Sequence, residues 1–147
     1  MKIKIICISD NDKHWQTWID EYTKRLGKYL EIINIKPHKN WTTEQIIEKD
    51  TQNIIKKIQQ LNHYKILLDK HWIATSSENL AKIIKQNFEV VFIIWWHLGL
   101  QKYLIKEHID AQISFGQITM PHWLAKLVLL EQIYRAWSIN TWKKYHY

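Results

Sequence analysis

The chain has 147 residues, with 21 Lys and Arg against 14 Asp and Glu and a formal net charge of +7. That length suits one domain spanning residues 1–147, and a composition of 46% hydrophobic and 24% charged residues excludes a disordered chain. No apolar run approaches the roughly 20 residues of a membrane span, the lone Cys7 excludes an internal disulfide, and the basic excess points to an anionic partner, nucleic acid first.

Lys2–Ser9 alternates charged and apolar residues and predicts a strand. It is too short and too alternating for a signal peptide; the single cysteine makes a reducing cytoplasm the expectation. Lys13–Tyr29 predicts a helix, with Trp15, Trp18, Ile19, Tyr22 and Leu26 at helical spacings. Glu31–Lys36 predicts a strand stopped by Pro37, and a loop follows. Thr43 is expected to cap the next helix, which runs to about Leu61 with Ile47, Ile54, Ile55, Ile58 and Leu61 on one face. Lys65–Asp69 predicts a strand, and Ser76 and Ser77 cap a helix through Gln86. Glu89–Ile94 is continuously apolar after its first residue, as the central strands of parallel sheets are. A short helix is expected over about Leu98–Lys106 and a brief strand near Gln112–Phe115. Pro121 opens the last helix, which reaches about Asn140.

Strand–helix alternation of this kind implies an α/β fold with a mostly parallel sheet. In the last helix Leu124, Leu127, Val128, Leu129, Leu130 and Ile133 cover more than one face. Such a helix must be buried on two sides. The sheet supplies one cover, and a second copy of the chain is the simplest source of the other. The same helix carries Glu131, Tyr134 and Arg135. The spacing of Glu131 and Arg135 suits a structural ion pair as well as chemistry, and His122 after Pro121 suits a helix cap as well as a reactive group. The other histidines show no metal-ligand spacing, so no metal is expected. There is no glycine-rich phosphate loop, nucleophile elbow or Cys-x-x-Cys. One count is abnormal: 9 Trp against 3 Gly, where average usage gives roughly 10 Gly.

The C-terminal third combines Met120-Pro121-His122, Glu131-x-x-Tyr134-Arg135-Ala136 and Tyr145-His146. With Lys2–Ile8, the segment IDEYTKRLG from Ile19 to Gly27, Leu68, Ser76–Ala81 and Val91–Ile94, these elements resemble the RlmH family over nearly the whole chain. Those proteins are small SPOUT-class methyltransferases that act on a pseudouridine of 23S ribosomal RNA. The resemblance implies a SPOUT-type α/β knot, with a mostly parallel sheet and a C-terminal trefoil knot. It implies S-adenosyl-L-methionine as cofactor and a homodimer in which each active site is completed by the second subunit. It places the target, ring nitrogen 3 of the pseudouridine, in helix 69 of the large subunit within an assembled ribosome.

Carried over by position, the cofactor would be held by Leu68, by position 95, and by the loop Phe115, Gly116, Gln117, Ile118, Thr119 and Met120. The candidates for the acceptor side are His122, Glu131, Arg135, Tyr145 and His146. The acceptor nitrogen carries a proton and becomes a good nucleophile only on losing it. Arg135 suits a phosphate or a developing anion, Tyr145 suits stacking on a flipped base, and His146 suits a base that titrates near neutrality.

One segment departs from the family. Relatives carry I-G-G-x-x-G-L where this chain reads Ile94-Trp95-Trp96-His97-Leu98-Gly99-Leu100. Trp72, Trp142 and Trp18 also stand at positions that are glycine or another small residue in the family. Substitutions so uniform in direction fit a gene whose UGA codons specify glycine, read under a code in which they specify tryptophan. If the indoles are genuine, the alternative is a catalytically inactive knotted dimer that binds RNA or the ribosome.

Overall fold

A computed structural model describes residues 1–9, 13–95 and 98–145. In chain order the elements are β1 (Lys2–Ile8), α1 (Gln16–Leu26), β2 (Leu30–Ile35), α2 (Thr43–Gln59), β3 (Tyr64–Leu68), α3 (Ser77–Asn87), β4 (Glu89–Ile94), α4 (Lys102–Ile105), β5 (Ala111–Ile113) and α5 (His122–Asn140). The strands form one sheet in the order β2-β1-β4-β3-β5, and every pairing is parallel. All five C-terminal ends therefore lie along one edge of the sheet.

Successive strand residues face opposite sides, and both sides are apolar. Ile3, Ile5, Cys7, Ile66, Val90 and Phe92 pack with Ile19 and Leu26 of α1, Leu80 and Ile84 of α3, and Leu129, Leu130 and Ile133 of α5. Ile6, Ile8, Leu67, Val91 and Ile93 pack on the other face with Ile54 and Ile58 of α2 and with Ile105 of α4. Helices thus cover both faces of a buried sheet. Each fully buried Ile or Phe in it contributes about 2 kcal/mol relative to exposure. β4 is central and buried from Val90 to Ile94, which accounts for its unbroken apolar run.

Several boundaries differ from those expected. Thr42, not Thr43, caps α2: its Oγ1 accepts the Gln45 N–H at 3.3 Å, and the Gln45 side chain accepts the Thr42 N–H at 3.1 Å. The reciprocal pair needs the Gln three residues after the cap, and the residue three after Thr43 is Ile46. Pro121 is the N-cap residue of α5, extended at ψ 150°, so the helix begins at His122. The helix expected over 98–106 is confined to Lys102–Ile105, followed by a 3-10 turn at Lys106–His108. α1 ends at Gly27, whose φ of +52° breaks the helix into a 3-10 turn through Tyr29. The brief last strand sits at Ala111–Ile113, with only a single bridge from Ser114 to Ala74 beyond it.

α5 lies on the α1/α3 face of the sheet. Its buried stripe is Lys126, Leu129, Leu130, Ile133, Ala136 and Ser138, while Leu124, Leu127 and Val128 are only half covered. Asn140 Nδ2 donates to the Ala81 carbonyl at 3.0 Å, and Trp123 stacks on Trp15 with centroids 3.7 Å apart, which ties the helix to α3 and α1.

Candidate active site

A cavity of about 380 Å³ opens at the C-terminal edge of the sheet. Its floor is Leu68 from β3, Ile94 from β4 with Trp95 just beyond it, and Ile113 from β5. The loop from Ser114 to Pro121 forms one wall, and His122 and Ala125 of α5 close it. Ligand sites of open α/β sheets lie at this edge, where strands end and loops diverge. Of the residues expected at a cofactor, Leu68, Trp95, Phe115, Gly116, Ile118, Thr119 and Met120 line the cavity. Gln117 is exposed and is not among the lining residues.

The loop is shaped by its own hydrogen bonds. The buried Ser114 hydroxyl accepts the Gly116 N–H at 3.0 Å, and its single proton serves the Gly116 carbonyl at 3.0 Å or the Lys70 carbonyl at 3.3 Å. Lys70 Nζ donates to Thr119 Oγ1 at 2.8 Å, and Thr75 N–H donates to the Ser114 carbonyl at 2.9 Å. These bonds pin the loop to the segment after β3. Gly116 has φ +113°, and no atom lies within 4 Å of where its Cβ would be. Only glycine adopts that conformation without strain, and it leaves main-chain groups open to a ligand. The volume, the apolar walls of Leu68, Ile94, Phe115 and Met120, and the bare Gly116 fit a nucleoside-sized cofactor. The Trp95 indole narrows that space.

Asp69 at the cavity, and Lys102 that pairs with it, were not expected from the sequence. Asp69, 3% exposed, directly follows β3 and lines the cavity. Lys102 of α4 reaches its Oδ2 at 2.8 Å, and the His71 N–H donates to its Oδ1 at 3.0 Å. Burial alone would raise the Asp69 pKa, but the Lys102 and His71 hydrogen bonds outweigh it and hold the carboxyl below its usual range. Lys102 Nζ also sits 5.2 Å from the centre of the Trp95 ring. The lysine thereby latches the β4–α4 connection, which supplies Trp95 and Gly99 to the cavity, onto the end of β3. An Asp closing an apolar strand was the only signal for this pair.

The expected acceptor-side residues divide into two places. His122 lines the cavity. Glu131 and Arg135 lie on the same helix roughly 14 and 20 Å further along, at 1.5 Å per residue. There Arg135 donates through Nε at 3.0 Å and Nη2 at 2.7 Å to Glu131 Oε1, and Gln132 Nε2 donates to Glu131 Oε2 at 2.7 Å. Tyr145 folds back onto this pair. Its hydroxyl is 3.5 Å from Glu131 Oε1, its ring meets Tyr134 edge-on at 4.7 Å, and the Arg135 guanidinium lies 5.1 Å from its centre. Burial, then the neighbouring Tyr22 hydroxyl, pushes the Tyr145 pKa up to about 12. Tyr145 is therefore a phenol at neutral pH, able to donate or stack but not to act as a phenolate. His146 and Trp96, with His97 beside it, lie outside the described residues.

The remaining tryptophans at expected glycine positions are poorly accommodated. Trp142 is 93% exposed with φ +59°, and Trp18 and Trp72 are 59% and 49% exposed. By contrast Trp15 is stacked, and Trp137 packs against the core beneath Lys143, whose Nζ is 4.2 Å from its ring centre. Among the described residues no group of three His, Cys, Asp or Glu could hold a metal, and no helix is long and apolar enough to cross a membrane.

Comparison with known proteins agrees with this geometry. The ribosomal RNA large subunit methyltransferase H of Mycoplasma mycoides subsp. mycoides is 38% identical over 157 residues, covering 99% of each chain. Those of Mycoplasma capricolum and Fusobacterium nucleatum are each 37% identical over 155 residues, again with 99% of each chain covered. A family model described as "Predicted SPOUT methyltransferase" matches residues 1–146. The parallel sheet, the cavity at its carboxyl edge and these full-length matches together make the chain a member of the SPOUT methyltransferase family.

Proposed function

We propose that this protein transfers a methyl group from S-adenosyl-L-methionine to ring nitrogen 3 of a pseudouridine in 23S ribosomal RNA, in helix 69 of the large subunit of the assembled ribosome. The observation that carries the reading is the cavity at the carboxyl edge of the sheet, walled by the 115–120 loop and Leu68. The ribosomal RNA large subunit methyltransferases that resemble the chain over its full length support the ribosomal RNA substrate class. The net charge of +7 suits an RNA partner, and a trefoil knot in the C-terminal segment is part of the same reading.

The bound sulfonium cofactor would supply an already activated methyl group. The chain's own work is then to align and deprotonate. Leu68, Phe115 and Met120 offer faces for a purine, and the main chain around Gly116 offers hydrogen bonds to its edge. His122, on the cavity wall, stands where an acceptor base would enter. Arg135 offers a fixed guanidinium to phosphate or to the anion that forms as the ring nitrogen loses its proton. Tyr145 offers a ring to stack on and a hydroxyl to donate, and His146 remains the base by residue type.

We infer a homodimer from the same geometry. Within one chain Arg135 is about 20 Å from the cavity end of α5. Two copies of α5 packed antiparallel about a twofold axis near Val128 would bury the half-covered Leu124, Leu127 and Val128. They would also set Arg135 of each copy opposite residues 121–122 of the other. The acceptor-side cluster of one protomer then completes the cavity of its partner.

A second reading rests on Trp95. Its indole occupies cavity wall, and a chain unable to take up the cofactor would remain as an RNA- or ribosome-binding dimer. Titration calorimetry with S-adenosylmethionine, joined to a methylation assay on ribosomes lacking the modification, separates the two. Cofactor uptake and a mass gain of one methyl on the RNA support the transferase. Uptake by neither the unsubstituted chain nor its Trp95→Gly, Trp96→Gly form leaves the second reading.

A further inference from the structure

The end of α1 carries a second guanidinium on the acceptor-side cluster. Arg25 Cζ lies 5.5 Å from the ring centres of both Tyr22, on its own helix, and Tyr134, on α5. Tyr22 and Tyr134 are 6.3 Å apart between centroids, and Tyr134 in turn meets Tyr145. Arg25 and Arg135 therefore flank one run of tyrosines that joins α1, α5 and the C-terminal segment. The Arg25 side chain is 41% exposed and spends one edge on Glu21 Oε1, with Nε at 3.0 Å and Nη2 at 2.8 Å. Its Nη1 makes no hydrogen bond to the described residues. An exposed i,i+4 pair of this kind contributes only about 0.3–0.5 kcal/mol and has no need of α5. Yet the guanidinium lies across onto α5, where stacking on two rings orients it. A planar guanidinium with one open edge is suited to a phosphate oxygen, and the neighbouring Lys24 adds positive charge in the same last turn.

We propose that Arg25, oriented by Tyr22 and Tyr134, holds a backbone phosphate of the RNA strand flanking the methylated base. This rests on the ribosomal RNA methyltransferase reading above. Arg25 is joined to the Tyr145–Arg135 cluster through Tyr134 and is itself 41% exposed, so a strand whose target base reaches that cluster has Arg25 within reach of its flanking backbone. Glu21 and Asp20 are the acidic groups on the same helix, and Glu21 is already engaged by the opposite edge of the guanidinium.

The test compares the intact protein with Arg25→Gln and Arg25→Lys variants on ribosomes lacking the modification. Binding is measured over a range of salt concentrations, alongside kcat, KM, cofactor affinity and thermal midpoint. Arg25→Gln should raise KM for the ribosome roughly 3- to 10-fold and lower the slope of log K against log salt by about one. Its kcat and cofactor affinity should stay within twofold. Arg25→Lys should keep the salt slope and recover part of the affinity. An unchanged KM and slope in Arg25→Gln overturns the proposal, as does a loss that tracks a fallen thermal midpoint and weakened cofactor binding. If the wild-type chain methylates no ribosomal RNA, the functional reading itself fails; if it does and Arg25→Gln matches it, only this inference fails.

Discussion

Replacing Lys102 with Met strands a carboxylate. Asp69 is 3% exposed and has two partners, Lys102 Nζ at 2.8 Å and the His71 N–H at 3.0 Å. Removing one partner of a fully buried pair costs about 3–5 kcal/mol. The Lys102 side chain is 49% exposed, so water replaces part of the loss and the expected cost is about 2 kcal/mol. In a chain of this size that lowers the melting temperature by roughly 4–8 °C. The sign with pH follows from the direction of the shift. Asp69 is held below its ordinary pKa of 3.8 in the folded state, so its contribution is present above that value and is lost as pH falls. The penalty of Lys102→Met should be full near neutrality and shrink in acid. An Asp69→Asn, Lys102→Met pair removes both charges and should be more stable than Lys102→Met alone. Urea unfolding at a series of pH values measures all of this. A cost under about 0.5 kcal/mol at neutral pH, or one that does not change on acidification, refutes the view of Asp69–Lys102 as a charged latch.

Three other outcomes are expected. Trp95→Gly frees on the order of 100 Å² of cavity wall for a ligand, about 2.5 kcal/mol by area, so calorimetry should show cofactor affinity rising at least tenfold while thermal stability drops as packing against the α2/α4 face is lost; unchanged affinity means the indole is not an obstacle. Trp142→Gly should stabilise by about 0.5 kcal/mol, because φ +59° strains any side chain and a 93% exposed indole contributes little packing. Trp142→Ala keeps the strain, so Gly no more stable than Ala in urea unfolding rules the account out. The Tyr145 pKa lies above its unfolded value of 10.0, at about 12, so its docking is intact below pH 10 and is lost as pH rises toward 12. An ultraviolet titration against Tyr145→Phe tests this, and a tyrosine that ionises at its ordinary value shows that the C-terminal segment is not docked.

Much of the architecture was readable along the chain. Glu89–Ile94 is found as expected, because a strand buried on both faces must be apolar at every position, and that pattern is local. The Ser76 cap and the loop at Gly116 were readable for the same reason: side-chain chemistry acts there within three residues. Where several residues compete for one role, local reading slipped. Thr42 and Thr43 both suit a cap, and the reach of Gln45 decided between them. In the expected cofactor loop, residues 115, 116 and 118–120 line the cavity and Gln117 is exposed beside it.

Periodicity, charge and recurring motifs in the sequence determined the alternation of strands and helices, the basic surface and the family, because each depends on residue type at short range. The meeting of Asp69 with Lys102, of Arg25 with Tyr134, and of Leu68 with the 115–120 loop joins positions 30 to more than 100 residues apart. Only the parallel stacking order of the strands decided those contacts, since it alone sets which strand ends and helix faces become neighbours.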